Sequence, residues 1–211
     1  MKIFLFTFIL CLPFICNAQM NVNLERIETL AKDSTNSDFY YPILKEKFKS
    51  EPEKLSSHQI QTLYYQSLNE LGSFNYSIKT SAAYADFKEV KFKKFIIDAE
   101  AKLEQMPTNI SLLFLLSLAY GEIKDGTSKA NNYAKKFKIV SEAIAQNKSL
   151  TNKDYLIELN CITDEYILMQ TMGIDPSKMK RTSVIENGHY IDTFELNREK
   201  IYFKILNKLS L

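Results

Sequence analysis

Asp164 and Glu165 are the strongest acid–base candidates in this chain, with Tyr166 directly beside them. On a helix, adjacent residues point about 100° apart. The two carboxyls therefore cannot flank one bond from a single helical face. Either one of them acts as a general base at a groove, or one pairs locally while the other faces water, the usual fate of such acids. Cys161 lies between Leu159 and Ile162 with no histidine near it in sequence, which reads as a buried, inert thiol. His58 and His189 are the only histidines, and neither has a partner at zinc-ligand spacing. There is no Gly-x-Ser-x-Gly elbow and no phosphate-cradling glycine loop. No catalytic constellation, metal site or cofactor is expected.

Two further groups could recognise a partner. Lys88, Lys91, Lys93 and Lys94 cluster on one segment, and Lys135, Lys136 and Lys138 on another. Glu89, Asp98, Glu100 and Glu104 dilute the first cluster, so a solvated helix face is the default reading. Tyr40, Tyr41, Tyr64, Tyr65, Tyr76 and Tyr84 crowd the first half. Neighbouring tyrosines on a helix do not share one core face, so some are expected half exposed, where ring and hydroxyl suit recognition. A binding groove is expected near Tyr64, Tyr65, Tyr120, Asp164 and Tyr166.

The elements that must position these residues are mostly helices. Val22 to Lys32 carries an apolar stripe; Pro42 opens a second helix. Ser56 with Gln59 forms a capping-box pattern ahead of Ile60, Leu63, Tyr64 and Leu68. Asn69 to Ala85, with its Gly, Asn and Ser, reads as an irregular loop packed on the body. Asp86 to Met106 reads as one long helix stopped by Pro107. Asn109 caps an apolar helix over Leu112 to Tyr120, buried on most sides. Gly126 precedes a helix capped by Thr127 or Ser128. Thr151 caps another, with Tyr155, Leu159, Ile162, Tyr166 and Met169 on its stripe and Gly173 at its end. The period then changes: Val184 to Leu196 reads as two strands joined by a type I′ turn at Asn187-Gly188. Ile201 to Ile205 reads as a third strand, with a final helix as the competing reading.

The first eighteen residues are an address. Lys2 is followed by an apolar run from Ile3 to Ile15 and by Cys16-Asn17-Ala18, the pattern of a secretory leader cut after Ala18. The run is too short for a confident membrane span. Neither Cys11 nor Cys16 follows a small residue, which argues against a lipid anchor. Cleavage leaves residues 19–211 with Cys161 as the single thiol and therefore no internal disulfide. A formal charge of +2 before cleavage gives no electrostatic case for nucleic acid. Five glycines and five prolines favour long helices over a turn-rich sandwich.

Two resemblances bear on the fold. Leu116-Ser117-Leu118-Ala119-Tyr120 resembles the first helix of a tetratricopeptide repeat, with Ala130 and Ala134 near the small positions of its second; the spacing to Ala130 is one residue longer, and no second copy of comparable quality is present. Tyr40-Tyr41-Pro42, Leu63-Tyr64-Tyr65, Ala119-Tyr120, Asp164-Glu165-Tyr166 with Gly173, and Ile201-Tyr202-Phe203 carry a wider similarity. Through them the chain, from about Leu24 to Leu206, resembles an uncharacterised family of secreted proteins from Bacteroidetes-type bacteria, a domain of unknown function. Family members often have a Gly-rich turn where this chain has Gln146 to Leu150. The resemblance implies a helical, repeat-like core with a small terminal sheet and transfers no catalytic residue.

The expected protein is mainly α (α+β): a leader over 1–18, antiparallel tetratricopeptide-like helical hairpins over 19–176, and a C-terminal antiparallel β-meander over 177–211 packed on them. The expected role is a non-catalytic, secreted or periplasmic binding or scaffold module. Its partner would be a protein or peptide of the cell envelope, without nucleic acid and without stable membrane insertion after cleavage. The alternative is a hydrolase of envelope material with Asp164 or Glu165 as general base.

Overall fold

The structure is a computed structural model, and it describes residues 23–145, 151, 153 and 156–206. The expected leader over 1–18, the Gln146 to Leu150 segment, Tyr155 and the last five residues lie outside the described residues. The fold is mainly α with a small sheet, an α+β architecture. Among the described residues, no helix is long and apolar enough to cross a membrane.

Two interior helices organise the body. The first, α3 (Ser57–Leu71), starts on the expected capping box: the Gln59 amide donates to Ser56 Oγ at 3.3 Å, and the Ser56 amide donates to Gln59 Oε1 at 2.9 Å. It is packed by α1 (Leu24–Lys32), α2 (Tyr41–Ser50), α4 (Ser73–Lys88) and α7 (Thr127–Ala145). Being surrounded, it buries Tyr64 and Tyr65 together, and Tyr41 and Tyr76 are buried with them. Of the tyrosines expected half exposed, Tyr40 is half-buried, while Tyr64 and Tyr65 are both fully buried. The second interior helix, α6 (Ile110–Gly121), is apolar nearly all round and begins where the Leu112 amide donates to Asn109 Oδ1 at 2.9 Å. It packs on α4, on α5 (Phe92–Leu103) and most extensively on α7.

Three segments differ from the sequence expectation, each because burial or strand pairing overrides local preference. The stretch 69–85 is helical. Gly72, at φ +72°, ends α3 with its amide on the Leu68 carbonyl and starts α4 at once. Tyr76, Thr80 and Ala83, spaced as one helical face, are buried there. The segment 86–106 is broken between Lys88 and Phe92, with Val90 at φ +59°. In one continuous helix Phe87 and Phe92 would point about 140° apart. The break lets Phe87 meet Phe92 at 5.6 Å and Phe95 at 5.4 Å between ring centroids. The helix expected from Thr151 is instead a strand, β1 (Ile157–Leu159), followed by α8 (Ile162–Thr171) with Cys161 extended at its N-cap.

The sheet has the order β1-β4-β3-β2. Here β2 (Lys180–Glu186) and β3 (His189–Leu196) form the expected hairpin, with Asn187 and Gly188 both at positive φ as a type I′ turn requires. Asn197 and Arg198, at φ 52° and 74°, make the same kind of turn into β4 (Glu199–Ile205). The last described segment is therefore a strand and not a helix. The sheet gains a fourth strand the sequence reading missed: β1 runs parallel to β4, Ile157 opposite Phe203 and Leu159 opposite Ile205. Ile157, Leu159, Phe194, Ile201, Phe203 and Ile205 line its inner face and join the helical core.

The turn between α6 and α7 depends on one close approach. A Cβ on Gly126 would lie 2.0 Å from the Tyr120 carbonyl oxygen, a backbone atom that cannot step aside. Gly126→Ala is expected to cost ~1–3 kcal/mol through overpacking, whereas Gly121→Ala, with nothing within 4 Å, stays within about 1 kcal/mol of wild type. Urea unfolding of the two variants checks this contrast.

Candidate functional site: the buried polar seam of helix α8

Helix α8 enters with two acids in its first turn, where carboxylates complement the exposed backbone N–H groups. The 100° rule separates them as expected, but neither faces water: both are fully buried. Asp164 turns into the helical body. Its Oδ2 accepts from Tyr64 Oη on α3 at 2.7 Å, and its Oδ1 accepts from Ser111 Oγ on α6 at 2.7 Å. Tyr64 Oη in turn accepts the Asn160 amide at 2.9 Å, and Asn160 Nδ2 donates to the Tyr64 carbonyl at 2.7 Å. Burial raises the Asp164 carboxyl to about 6, against the hydroxyl donors that favour its charged form. Burial also pushes the Cys161 thiol well up, consistent with an inert thiol.

Glu165 turns the other way, onto the sheet. It meets Asp192 of β3 and Arg181 of β2, whose guanidinium Nη2 lies 2.5 Å from Asp192 Oδ2 and 3.8 Å from Glu165 Oε2. Ser183 Oγ donates to Asp192 Oδ1. Burial, together with Asp192 beside it, raises the Glu165 carboxyl to about 10, so it keeps its proton at neutral pH, although neither of its oxygens has a hydrogen-bond partner among the described residues. Burial alone would raise Asp192 as well, but the protonated Glu165 beside it, the Ser183 hydroxyl and the Arg181 guanidinium outweigh it and hold that carboxyl below its usual value. One protonated acid and one carboxylate thus lie side by side under an arginine. Arg181 also lies over the Phe194 ring at 5.9 Å, and Phe194 meets Tyr166 edge-on at 5.8 Å.

The five residues expected to form a groove do not line one surface. Tyr64 and Asp164 are joined inside the body, and Tyr65 Oη donates to the Glu158 carbonyl at 3.1 Å, tying α3 to β1. Tyr166 is half-buried against the sheet. Tyr120 belongs to a separate cluster: it stacks on Tyr133 at 5.7 Å, and both hydroxyls donate to Glu100 Oε1, at 2.6 and 2.9 Å. Asp192, Arg181 and Ser111 complete the seam and were missed. Ser183–Asp192 and Arg181–Phe194 are cross-strand pairs, readable once the Asn187-Gly188 turn fixes the register; Ser111 had no signal beyond its place on an apolar helix. The lysine clusters are mostly solvated, with Lys91 paired to Glu89, Lys94 to Asp86 and Lys135 to Glu53, but Lys136 is half-buried over the Phe48 ring and donates to the Lys49 carbonyl at 3.1 Å. His58 is exposed, and among the described residues no three His, Cys, Asp or Glu side chains group as a metal site.

Two surface openings among the described residues bear on this, and neither is lined by Asp164 or Glu165. One, of about 390 Å³, lies between Pro52, Leu55, Ile60 and Ile139, bordered by Glu53 and Glu142. The other, of about 250 Å³, runs beside the broken α4–α5 corner and is lined by Phe87, Val90, Phe92, Phe114, Leu118 and Ile167, with Lys88 and Gln170 at its margins. Ile167 and Gln170 belong to α8, so the seam that fixes α8 also fixes one wall of this groove.

Fold and seam together define an α+β protein whose helical body and small sheet are locked through one helix. The chain belongs to the family described as Domain of unknown function (DUF4919), which matches residues 25–210. No curated protein and no solved structure matches it.

The seam makes two measurable demands. Tyr64→Phe leaves Asp164 Oδ2 and the Asn160 amide without their buried partner and is expected to cost about 1–3 kcal/mol. Because Asp164 is raised to about 6 from 3.8, the folded chain holds its proton more tightly than the unfolded one, and stability from this group is lost as pH rises from about 4 through 6. Asp164→Asn is expected to remove that limb from a curve of unfolding free energy against pH. Glu165→Gln, which mimics the protonated acid, is expected to be better tolerated than Asp192→Asn. Its advantage over wild type grows as pH rises above the ordinary glutamate value. Urea melts at several pH values test both.

Proposed function

We propose that this chain is an exported, non-catalytic binding module of the bacterial envelope, acting on a protein or peptide segment through the groove beside Val90. The observation that carries the reading is the contrast between the two kinds of surface. The acids that could do chemistry are sealed, while Val90 and Leu118, 67 % and 43 % exposed, present apolar side chains at the mouth of an open groove. Large side chains left in water beside a concave slot are what recognition requires and what folding alone disfavours. The leader-type N-terminus supports an envelope location, and the near-balanced charge supports a partner other than nucleic acid. The helical hairpin of α6 and α7, with its repeat-like spacing of small residues, supports a scaffold suited to peptide capture.

The rival reading, a hydrolase of envelope material with Asp164 or Glu165 as general base, draws on the acid–carboxylate pair at the seam, an arrangement also found in acid–base catalysis. Against it, Glu165 holds its proton at neutral pH and Asp164 is saturated by two hydroxyls. Capture of envelope partners by the tagged chain, compared with Leu118→Asp at unchanged melting temperature, discriminates. The binding reading expects the same partner from repeated wild-type captures and its loss from the variant. Turnover of envelope polymer that disappears in Glu165→Gln would establish the rival.

A further inference from the structure

We infer that the groove beside Val90 receives a short helical segment whose apolar stripe is flanked by acidic residues; this rests on the binding reading above and names its partner class. The shape comes first. Phe114 and Leu118, four residues apart, form one side on α6; on α8 Gln170 stands exposed, and Ile167, 1 % exposed, lies at the floor. A trough of this kind accepts a helix laid by its i, i+3, i+4 anchors. About 250 Å³ is below the usual range for a small-molecule site but holds one or two large side chains as anchors.

Charge supplies the second constraint. The segment from Asp86 to Lys94, which gives the groove Phe87, Val90 and Phe92, carries four lysines, Lys88, Lys91, Lys93 and Lys94, against Asp86 and Glu89; Lys91 pairs with Glu89 and Lys94 with Asp86, which leaves the segment a formal excess of two positive charges. Lys88 borders the groove itself. An occupant with acids beside its apolar stripe gains from this rim, and one with lysines there is repelled. The third observation is Val90. A β-branched residue at φ +59° sits in a strained region such residues rarely adopt. Glycine would hold this corner without strain, yet valine sets its methyl groups at the groove mouth. An anionic bilayer would also attract the lysines, but the apolar surface here is a slot between helices and not a protruding tip, which favours an inserted segment.

The test uses the full chain and a fluorescein-labelled peptide of about four helical turns, with leucines at i, i+3, i+4 and i+7 and glutamates beside them, followed by anisotropy. A sister peptide carries lysine for glutamate. The acidic peptide is expected to bind at least about tenfold more tightly than its sister and to weaken with added salt. Val90→Gly, which relieves the strained backbone, is expected to weaken binding about tenfold while the melting temperature holds or rises. Equal binding of both peptides, binding of neither, or retention only on phosphatidylglycerol vesicles would overturn the acidic-helix assignment. If neither peptide binds but envelope capture is still lost in Leu118→Asp, the partner class falls and the binding reading stands. If wild-type capture also fails, both fall.

Discussion

Asp164 accepts one hydroxyl from a helix 100 residues earlier in the chain and another from a helix 53 residues earlier. Through these two bonds α3, α6 and α8 are fixed at a single carboxylate, and the turn before α8 is fixed through Asn160 to the same tyrosine. A buried carboxyl without donors is expensive, and one with two is tolerated. The rest of the fold follows from this arrangement, because α8 is the element that faces both the helical body and the sheet.

The second acid makes α8 a two-sided connector. With Asp164 committed to the helices, the helical twist sends Glu165 to the strands, where Asp192 and Arg181 wait on neighbouring positions of a hairpin. The outer side of the sheet is tied down differently. Lys204 of β4 lies 2.8 Å from the buried Glu158 carboxylate of β1, while the backbone of Glu158 takes the hydroxyl of Tyr65. Body and sheet are therefore joined by polar contacts from two sides as well as by the shared apolar core. With α8 so held, its buried Ile167 and exposed Gln170 give the Val90 groove one fixed wall, and a fixed wall limits the entropy lost on association.

Much of this was legible from residues alone. The capping box at Ser56 and Gln59, the Asn109 cap, the buried character of Leu112 to Tyr120, and the Asn187-Gly188 turn are local features, decided by neighbours within four residues. The divergence of Asp164 and Glu165 was legible too, because helical geometry alone dictates it. What lay out of reach was where each acid would point. Tyr64, Ser111 and Asp192 are brought to them by packing, and the reading that left one acid in water failed for that reason. The five residues expected at one groove were grouped by type; the structure distributes them among an interior node, a sheet contact and the separate Tyr120–Tyr133 cluster on Glu100.

The sequence by itself determined the helical class, the sites of most helix starts, the C-terminal hairpin and the lack of a familiar catalytic motif, because caps, periodicity and turn residues act over a few positions. Tertiary structure decided the rest. It made Ile157–Leu159 a strand by giving it β4 as a partner 46 residues away, and it broke 86–106 so that three phenylalanine rings meet. It also opened the groove that this break borders. Each of these gains comes from surface buried or strands paired in the folded chain, and that free energy exceeds the few tenths of a kcal/mol by which local propensities differ.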